Sequence, residues 1–338
     1  MATERTALVL GASGGVGGET ARALARHGWS IRALSRDAEQ AGRRAAATGD
    51  HWQWVPGDAM DRASVIAAAK SASVILHAVN PPGYRNWGGL VLPMIDNTIE
   101  AARASGARVL LPGTIYNYGA DAFPRLSEDS PQHPATRKGK IRVEMELRLA
   151  RAADAGVRSL VLRAGDFFGP RPGQSWFSQG MVKPGKPVRA ITMPGLKGVG
   201  HSWAYLPDLA ETLARLVGRE SDLARFERFH FGGTWDTDGM GMVQAIRRAA
   251  GDPGIKVKQL PWTLMSLASP FSETVREMME VRPLWREPIS LDNARLVALL
   301  GVEPATPLNQ AIETTLRGLG CLPVLSAVTA ARRSPALA

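Results

Sequence analysis

Residues 6–17 read Thr-Ala-Leu-Val-Leu followed by Gly11-Ala-Ser-Gly14-Gly-Val-Gly17, and no other stretch of this 338-residue chain restricts its fold as tightly. A short apolar run that ends in glycines spaced three apart is a buried strand turning at once into a helix. Glycine is needed at such a turn because backbone must approach a ligand without a Cβ in the way. The helix that begins there offers free amide groups and the positive end of its dipole to phosphate. The ligand implied is a dinucleotide, held by Gly11, Ser13, Gly14, Gly15, Val16 and Gly17.

The first half of the chain repeats this strand–helix alternation. Apolar runs at Thr6–Leu10, Ser30–Leu34, Trp52–Val55, Val74–Ala78, Arg108–Leu111 and Ser159–Leu162 read as strands, with Arg228–Phe231 as a later addition. Helices are expected near Gly15–His27, Asp37–Ala47, Arg62–Lys70, Gly88–Ala104, Arg137–Ala153 and Pro207–Val217. Repeated βα units predict an α/β, Rossmann-type doubly wound parallel sheet covered on both faces. Residues 1–165 form this dinucleotide-binding domain, completed by about 200–234. Residues 166–199, dense in Gly and Pro, read as a functional loop region. With 235–325, where helices are expected at Met240–Ala250, Ser272–Val281, Asp292–Leu300 and Pro307–Arg317, they form a smaller, mainly helical substrate lobe. Residues 326–338 read as a flexible tail.

Composition narrows the function classes. Apolar residues at 45% and charged residues at 21% are ordinary for a globular protein. The net charge of +10 is spread along the chain, and its densest cluster, Arg137–Arg142, has no interleaved aromatics. We therefore expect no nucleic-acid partner, and take the field as attraction for small anions. No apolar run approaches the roughly 20 residues of a bilayer span. Met1–Arg5 lacks the basic-then-apolar order of a secretory leader. Cys321 is the single cysteine, and no His, Asp or Glu spacing suggests a metal. These features lead us to expect a cytoplasmic protein with a small-molecule substrate and no membrane partner, with room for a homodimer.

The second strand bears on cofactor choice. It ends Leu34-Ser35-Arg36-Asp37. A site for NAD would carry a carboxylate at Ser35 to hold the ribose hydroxyls, whereas a hydroxyl and a guanidinium suit the extra phosphate of NADP. Asp37 pulls the other way, and NADP is the favoured reading.

Further motifs follow in order. Gly57-Asp58 lies after the third strand, and Ala78 ends the fourth. Leu111-Pro-Gly-Thr114-Ile-Tyr116-Asn-Tyr118-Gly119 ends the fifth, Arg163 through Gly169-Pro170-Arg171 follows the sixth, and Tyr205-Leu-Pro-Asp208-Leu-Ala210 comes later. With the glycine loop, these make residues 5 to 235 resemble an extended or atypical short-chain dehydrogenase/reductase of the NAD-dependent epimerase/dehydratase superfamily. The resemblance implies that Asp58 meets the adenine. It also implies that a Ser or Thr, a Tyr and a Lys exchange a proton with substrate oxygen while hydride moves to or from the nicotinamide. Thr114 stands for the Ser/Thr. Lys140 matches the Lys that holds the ribose, because Glu144 follows it by four.

The family Tyr should lie four residues before that Lys, where this chain has Thr136, and an aliphatic hydroxyl is far too weak an acid to replace a phenol. Of the four tyrosines, Tyr84, Tyr116 and Tyr118 fall near strand ends, and Tyr116 is the preferred substitute acid. Tyr205, His201, Asp166 and His133 are weaker candidates. Ile115 and Tyr116 after Thr114 replace the Asp-Glu pair of the sugar-nucleotide dehydratases. Trp176, Phe177, Met193 and Trp203 point to an apolar or aromatic substrate. Two functions follow: an NAD(P)-dependent oxidoreductase or epimerase acting on a small carbonyl or alcohol, or a non-catalytic NADP-binding sensor or scaffold.

Overall fold

The computed structural model describes residues 5–81, 86–171, 173 and 175–323. Its first half runs β1 (Thr6–Leu10), α1 (Gly15–Arg26), β2 (Ser30–Ser35), α2 (Ala38–Ala46), β3 (Gln53–Pro56), α3 (Arg62–Ala68), β4 (Ala72–His77), α4 (Trp87–Ser105), β5 (Arg108–Thr114), β6 (Arg125–Leu126), α5 (Arg137–Asp154) and β7 (Arg158–Ala164). The second half runs β8 (Asp166–Phe168), β9 (Ala190–Met193), β10 (His201–Tyr205), α6 (Leu206–Val217), β11 (Phe226–His230), β12 (Thr234–Asp236), α7 (Gly241–Ala250), β13 (Lys256–Gln259), α8 (Trp262–Ala268), α9 (Glu273–Glu280), β14 (Ser290–Leu291), α10 (Ala294–Leu300) and α11 (Leu308–Gly318).

Seven strands form one sheet in the order β11-β7-β5-β4-β1-β2-β3, all neighbours parallel. Alternate side chains of β1 show why it sits inside. Ala7 and Val9 face the core shared with Leu24 of α1 and Leu209 and Leu213 of α6. Leu8 and Leu10 face the core shared with Val65 of α3, Ile95 of α4 and Leu149 of α5. Residues 7–10 are all fully buried, as a strand covered on both faces requires. From β3 at one edge the chain crosses back to β4, on the other side of β1. Strand direction of travel therefore reverses between β1 and β4, and the crevice beyond their carboxyl ends is where such sheets bind ligands.

The lobe corrects two expectations. Residues 166–199 contain β8, β9 and a π-helical turn at Phe177–Met181, packed around fully buried Phe168, Phe177 and Ile191. Apolar side chains at close spacing gave that glycine-rich stretch a core of its own. Strand β10 joins β8 and β12 in a separate three-stranded sheet, so within 200–234 only β11 extends the main one. Helices α7 and α11 complete the lobe core through Ile246 and Ile312. Residues 326–338 lie outside the described residues.

Candidate active site

A cleft of about 1010 Å³ runs over the carboxyl ends of β1, β4 and β5 and beneath the lobe. Its first end is the glycine loop. Gly11 has φ +91°, and a Cβ there would come within 2.5 Å of the Ala78 carbonyl oxygen; only glycine tolerates both. Gly17 packs its Cα against the Gly11 carbonyl in the same way. Gly14 precedes α1, whose first turn has no side-chain cap and no acidic residue, so its amides remain available to phosphate. Ser13, Gly14, Gly15, Val16 and Ala78 line the cleft, while Gly17 is buried behind them. The arrangement fits a dinucleotide.

Ser35, Arg36, Asp37 and Asp58 line the adjoining stretch. The Asp37 carboxylate accepts from Gln40 N at 2.9 Å as the cap of α2. Ser35 Oγ donates to Asp37 O at 3.1 Å, and exposed Arg36 stands on the rim between them. Asp58 Oδ1 accepts from Met60 N at 2.9 Å.

At the other end stand Thr114, Tyr116, His77, Lys138 and Arg142, faced by Trp176, Glu277, Met278 and Val281 of the lobe. Thr114 closes β5, and its Oγ1 accepts from Tyr116 N at 3.3 Å. His77 is buried beneath the cleft, with Nδ1 2.7 Å from Thr98 Oγ1. Burial and the nearby Arg142 charge push its pKa down to about 3, so it is a neutral ring at neutral pH. Tyr118 points the other way. Its hydroxyl lies 2.6 Å from His230 Nε2 and contacts Arg163, and burial raises its pKa to about 12.

Helix α5 places the residue it is expected to contribute to catalysis, Lys140, away from the cleft. Arg163 of β7 grips Glu146 at two points, Nε to Oε1 at 3.1 Å and Nη2 to Oε2 at 2.5 Å. Asn117 Nδ2 adds a bond to Glu146 at 2.9 Å. With Ile141, Met145 and Leu149 in the core, this buried carboxylate fits a helix roll in which residues one and two turns earlier, Arg142 and Lys138, reach the cleft. Lys140, expected to hold the ribose, lies more than half a turn around the helix from Lys138. It is exposed and does not line the cleft. Thr136, at the expected tyrosine position, is the N-cap: its Oγ1 accepts from Gly139 N at 3.0 Å. Glu144, used to fix the Lys140 register, pairs instead with Arg148 at 2.9 Å near the surface. Nothing in the sequence separates Glu144 from Glu146 except the need of buried Arg163 for a counter-ion.

Lys138 is 2% exposed. Its Nζ donates to the Glu277 carbonyl at 2.6 Å and lies 3.1 Å from Glu277 Oε2. Arg137 also pairs with Glu277, and the Lys138 amide donates to Glu280 at 3.4 Å. Burial lowers the Lys138 pKa, against the opposing pull of Glu277 and Glu280.

The remaining candidates separate cleanly. Asp166 lines the cleft and meets His201 Nε2 at 2.8 Å. The His201 ring stacks on Trp285 at 3.8 Å between centroids. Tyr205 is buried ahead of α6, and desolvation raises its pKa to about 12. His133 is exposed and paired with Asp121. Trp176 reaches the cleft, but Phe177 of the π-helical turn, Met193 of β9 and Trp203 of β10 are lobe core. Tyr84 lies outside the described residues. Among the described residues no group of three or more potential ligands could hold a metal, and no helix is long and apolar enough to cross a membrane.

Comparison with known proteins agrees with this geometry. A 3-diazoavenalumate denitrifying reductase from a Streptomyces species is 32% identical over 183 residues, spanning 49% of this chain and 57% of that protein. The chain thus matches little more than half the length of this relative. Among solved structures, a UDP-glucose-4-epimerase from Stenotrophomonas maltophila, with bound NAD and formylated UDP-arabinopyranose, superposes with a TM-score of 0.71 at 14% identity, covering 98% of this chain and 100% of that one. A UDP-glucuronic acid 4-epimerase from Bacillus cereus in complex with NAD gives 0.70 at 14% identity, covering 93% and 98%. At such identities the likeness is one of fold. The model of the NAD-dependent epimerase/dehydratase family matches residues 7–230, and with the glycine loop, the parallel sheet and the cleft in place, this chain belongs to that family.

Proposed function

We propose that the protein is an NADP-dependent reductase of small aromatic or apolar compounds bearing an electrophilic group, a carbonyl or a diazo function. The observation that carries this reading is the continuity of one cleft from the glycine loop and Arg36 to the hydroxyls of Thr114 and Tyr116. Its far end is walled by Trp176, Met278, Val281, Leu90 and Met94, a surface suited to a flat apolar body. Bound there, the cofactor supplies hydride. The Thr114 and Tyr116 hydroxyls orient the substrate's polar atom, and Arg36 holds the adenosine 2′-phosphate. The name of the Streptomyces relative favours reduction over epimerisation.

The test is a screen for NADPH oxidation with aryl aldehydes, aryl ketones and 4-carboxybenzenediazonium, with products identified by mass. Formation of the alcohol, or of benzoate with loss of N₂, is the expected result. Tight NADPH binding with no oxidation across the panel would turn the assignment toward a cofactor-binding sensor.

A further inference from the structure

We infer that Lys138 is the proton donor of this site and that Arg142, not Lys140, holds the nicotinamide ribose. The inference rests on the reductase reading above for Lys138 only; the Arg142 half concerns cofactor binding and stands by itself.

Four observations carry it. Lys138 and Arg142 lie one turn apart on α5 and both line the cleft that holds Thr114 and Tyr116. Their placement is held by the Glu146–Arg163 pair one turn beyond Arg142 together with the buried Ile141, Met145 and Leu149 of the same helix. Lys138 is an ammonium almost fully removed from water, facing Glu277 and Glu280 of α9 and neighboured by Arg137 on its own helix. Such a group gives up a proton more readily than a solvated lysine, and its conjugate amine is tolerated in place. Arg142 keeps its charge at every working pH, which suits a residue that binds and does not titrate.

The chemistry balances on an aldehyde. The carbonyl carbon gains hydride and its π pair moves to oxygen. A Lys138 N–H bond breaks as the O–H bond forms; the aldehyde is reduced to the alcohol and the cofactor is oxidised to NADP⁺. Lys138 regains its proton from solvent. An arenediazonium differs, since it gains hydride and loses N₂ with no net proton taken up.

The experiment has two arms. In the first, NADPH is titrated by fluorescence against the full-length protein. Arg142→Ala should weaken binding at least tenfold, Arg142→Lys should recover most of it, and Lys140→Ala should leave it within twofold. The reverse pattern, a loss at Lys140 and none at Arg142, overturns the ribose assignment whatever the protein turns over. In the second, 4-nitrobenzaldehyde and 4-carboxybenzenediazonium are the probes. Lys138→Arg keeps charge but cannot release a proton, so it should bind NADPH normally, lose at least a hundredfold in kcat on the aldehyde, and lose far less on the diazonium. The alkaline limb of the aldehyde pH profile, set below the ordinary lysine range, should vanish with it. Because Lys138→Met alone leaves the buried Glu277 with Arg137 as its one remaining partner cation among the described residues, it is made together with Glu277→Gln and should repeat the same split. Equal losses on both probes would make Lys138 structural. A loss at Tyr116→Phe with Lys138→Arg unaffected would return the proton to Tyr116. Either result overturns the proposal, and neither depends on the natural substrate.

Discussion

Glu146 and Arg163 meet in a two-point contact inside the protein, with side-chain exposures of 6% and 0%, one turn along α5 from Arg142 in the cleft. Removing one partner of a buried pair strands the other charge, at a cost of about 3–5 kcal/mol. Arg163→Met should therefore lower stability to urea by about that much. It should also weaken NADPH binding, since Arg142 loses its anchor one turn away. A variant within about 1 kcal/mol of the parent would show that the helix holds its roll by apolar packing alone.

Cofactor preference should reside in Arg36. A charge-assisted contact with the 2′-phosphate is worth about 1.5–3 kcal/mol. NADPH should accordingly bind roughly ten- to a hundredfold more tightly than NADH, and Arg36→Ala should erase most of the difference. Equal affinities of the parent protein for the two cofactors, measured by titration, would refute the assignment.

Thr136 should matter to stability and not to cofactor. Its hydroxyl caps α5 through Gly139 N, and loss of such a cap costs about 1 kcal/mol. Thr136→Ala should lower the midpoint of thermal unfolding by a few degrees and leave NADPH affinity unchanged. A collapse of cofactor binding in that variant would place the hydroxyl in the site after all.

Acid should unfold the protein early. His77 and His230 are both held at a pKa of about 3, His77 by burial and Arg142, His230 by burial and Arg163. Unfolded, each titrates near 6.5. Between those values the unfolded chain binds more protons, so stability falls as pH is lowered through 6.5, by about 2 kcal/mol per histidine at pH 5. Urea midpoints at pH 7 and pH 5 should show the loss, and His77→Gln should remove roughly half of it. A flat profile above pH 5 would mean that both rings take up protons in the folded state as readily as in the unfolded chain.

The sheet was legible because β1 is buried on both faces and ends in glycines that only one turn geometry accommodates. The cofactor end was legible for the same reason: backbone conformation at Gly11 leaves few alternatives. The catalytic end was not. Lys138, Arg142 and Lys140 sit within five residues of one another, and spacing to a carboxylate did not show that the first two line the cleft and Lys140 does not. The deciding information is the partner of Glu146, Arg163, which lies 17 positions further along the chain, on strand β7. His77 and Glu277 were missed for a related reason. One is the last residue of an apolar strand and the other one acid among several on α9; only assembly puts them in the cleft. Trp176 lines the cleft, but in the sequence it was not separable from Phe177, Met193 and Trp203, since aromatics fill cores as readily as binding surfaces.

The carboxylate that Glu277 extends to Lys138 comes from a helix beyond the part of the chain matched by the family model, which ends at residue 230. The surroundings of a side chain rooted in the family's scaffold are therefore completed by a helix outside the matched region. Grafting a different C-terminal lobe onto the same sheet would alter more than the shape of the molecule admitted. With Lys138 as the proposed proton donor, it would also retune the acidity of the group that meets the substrate.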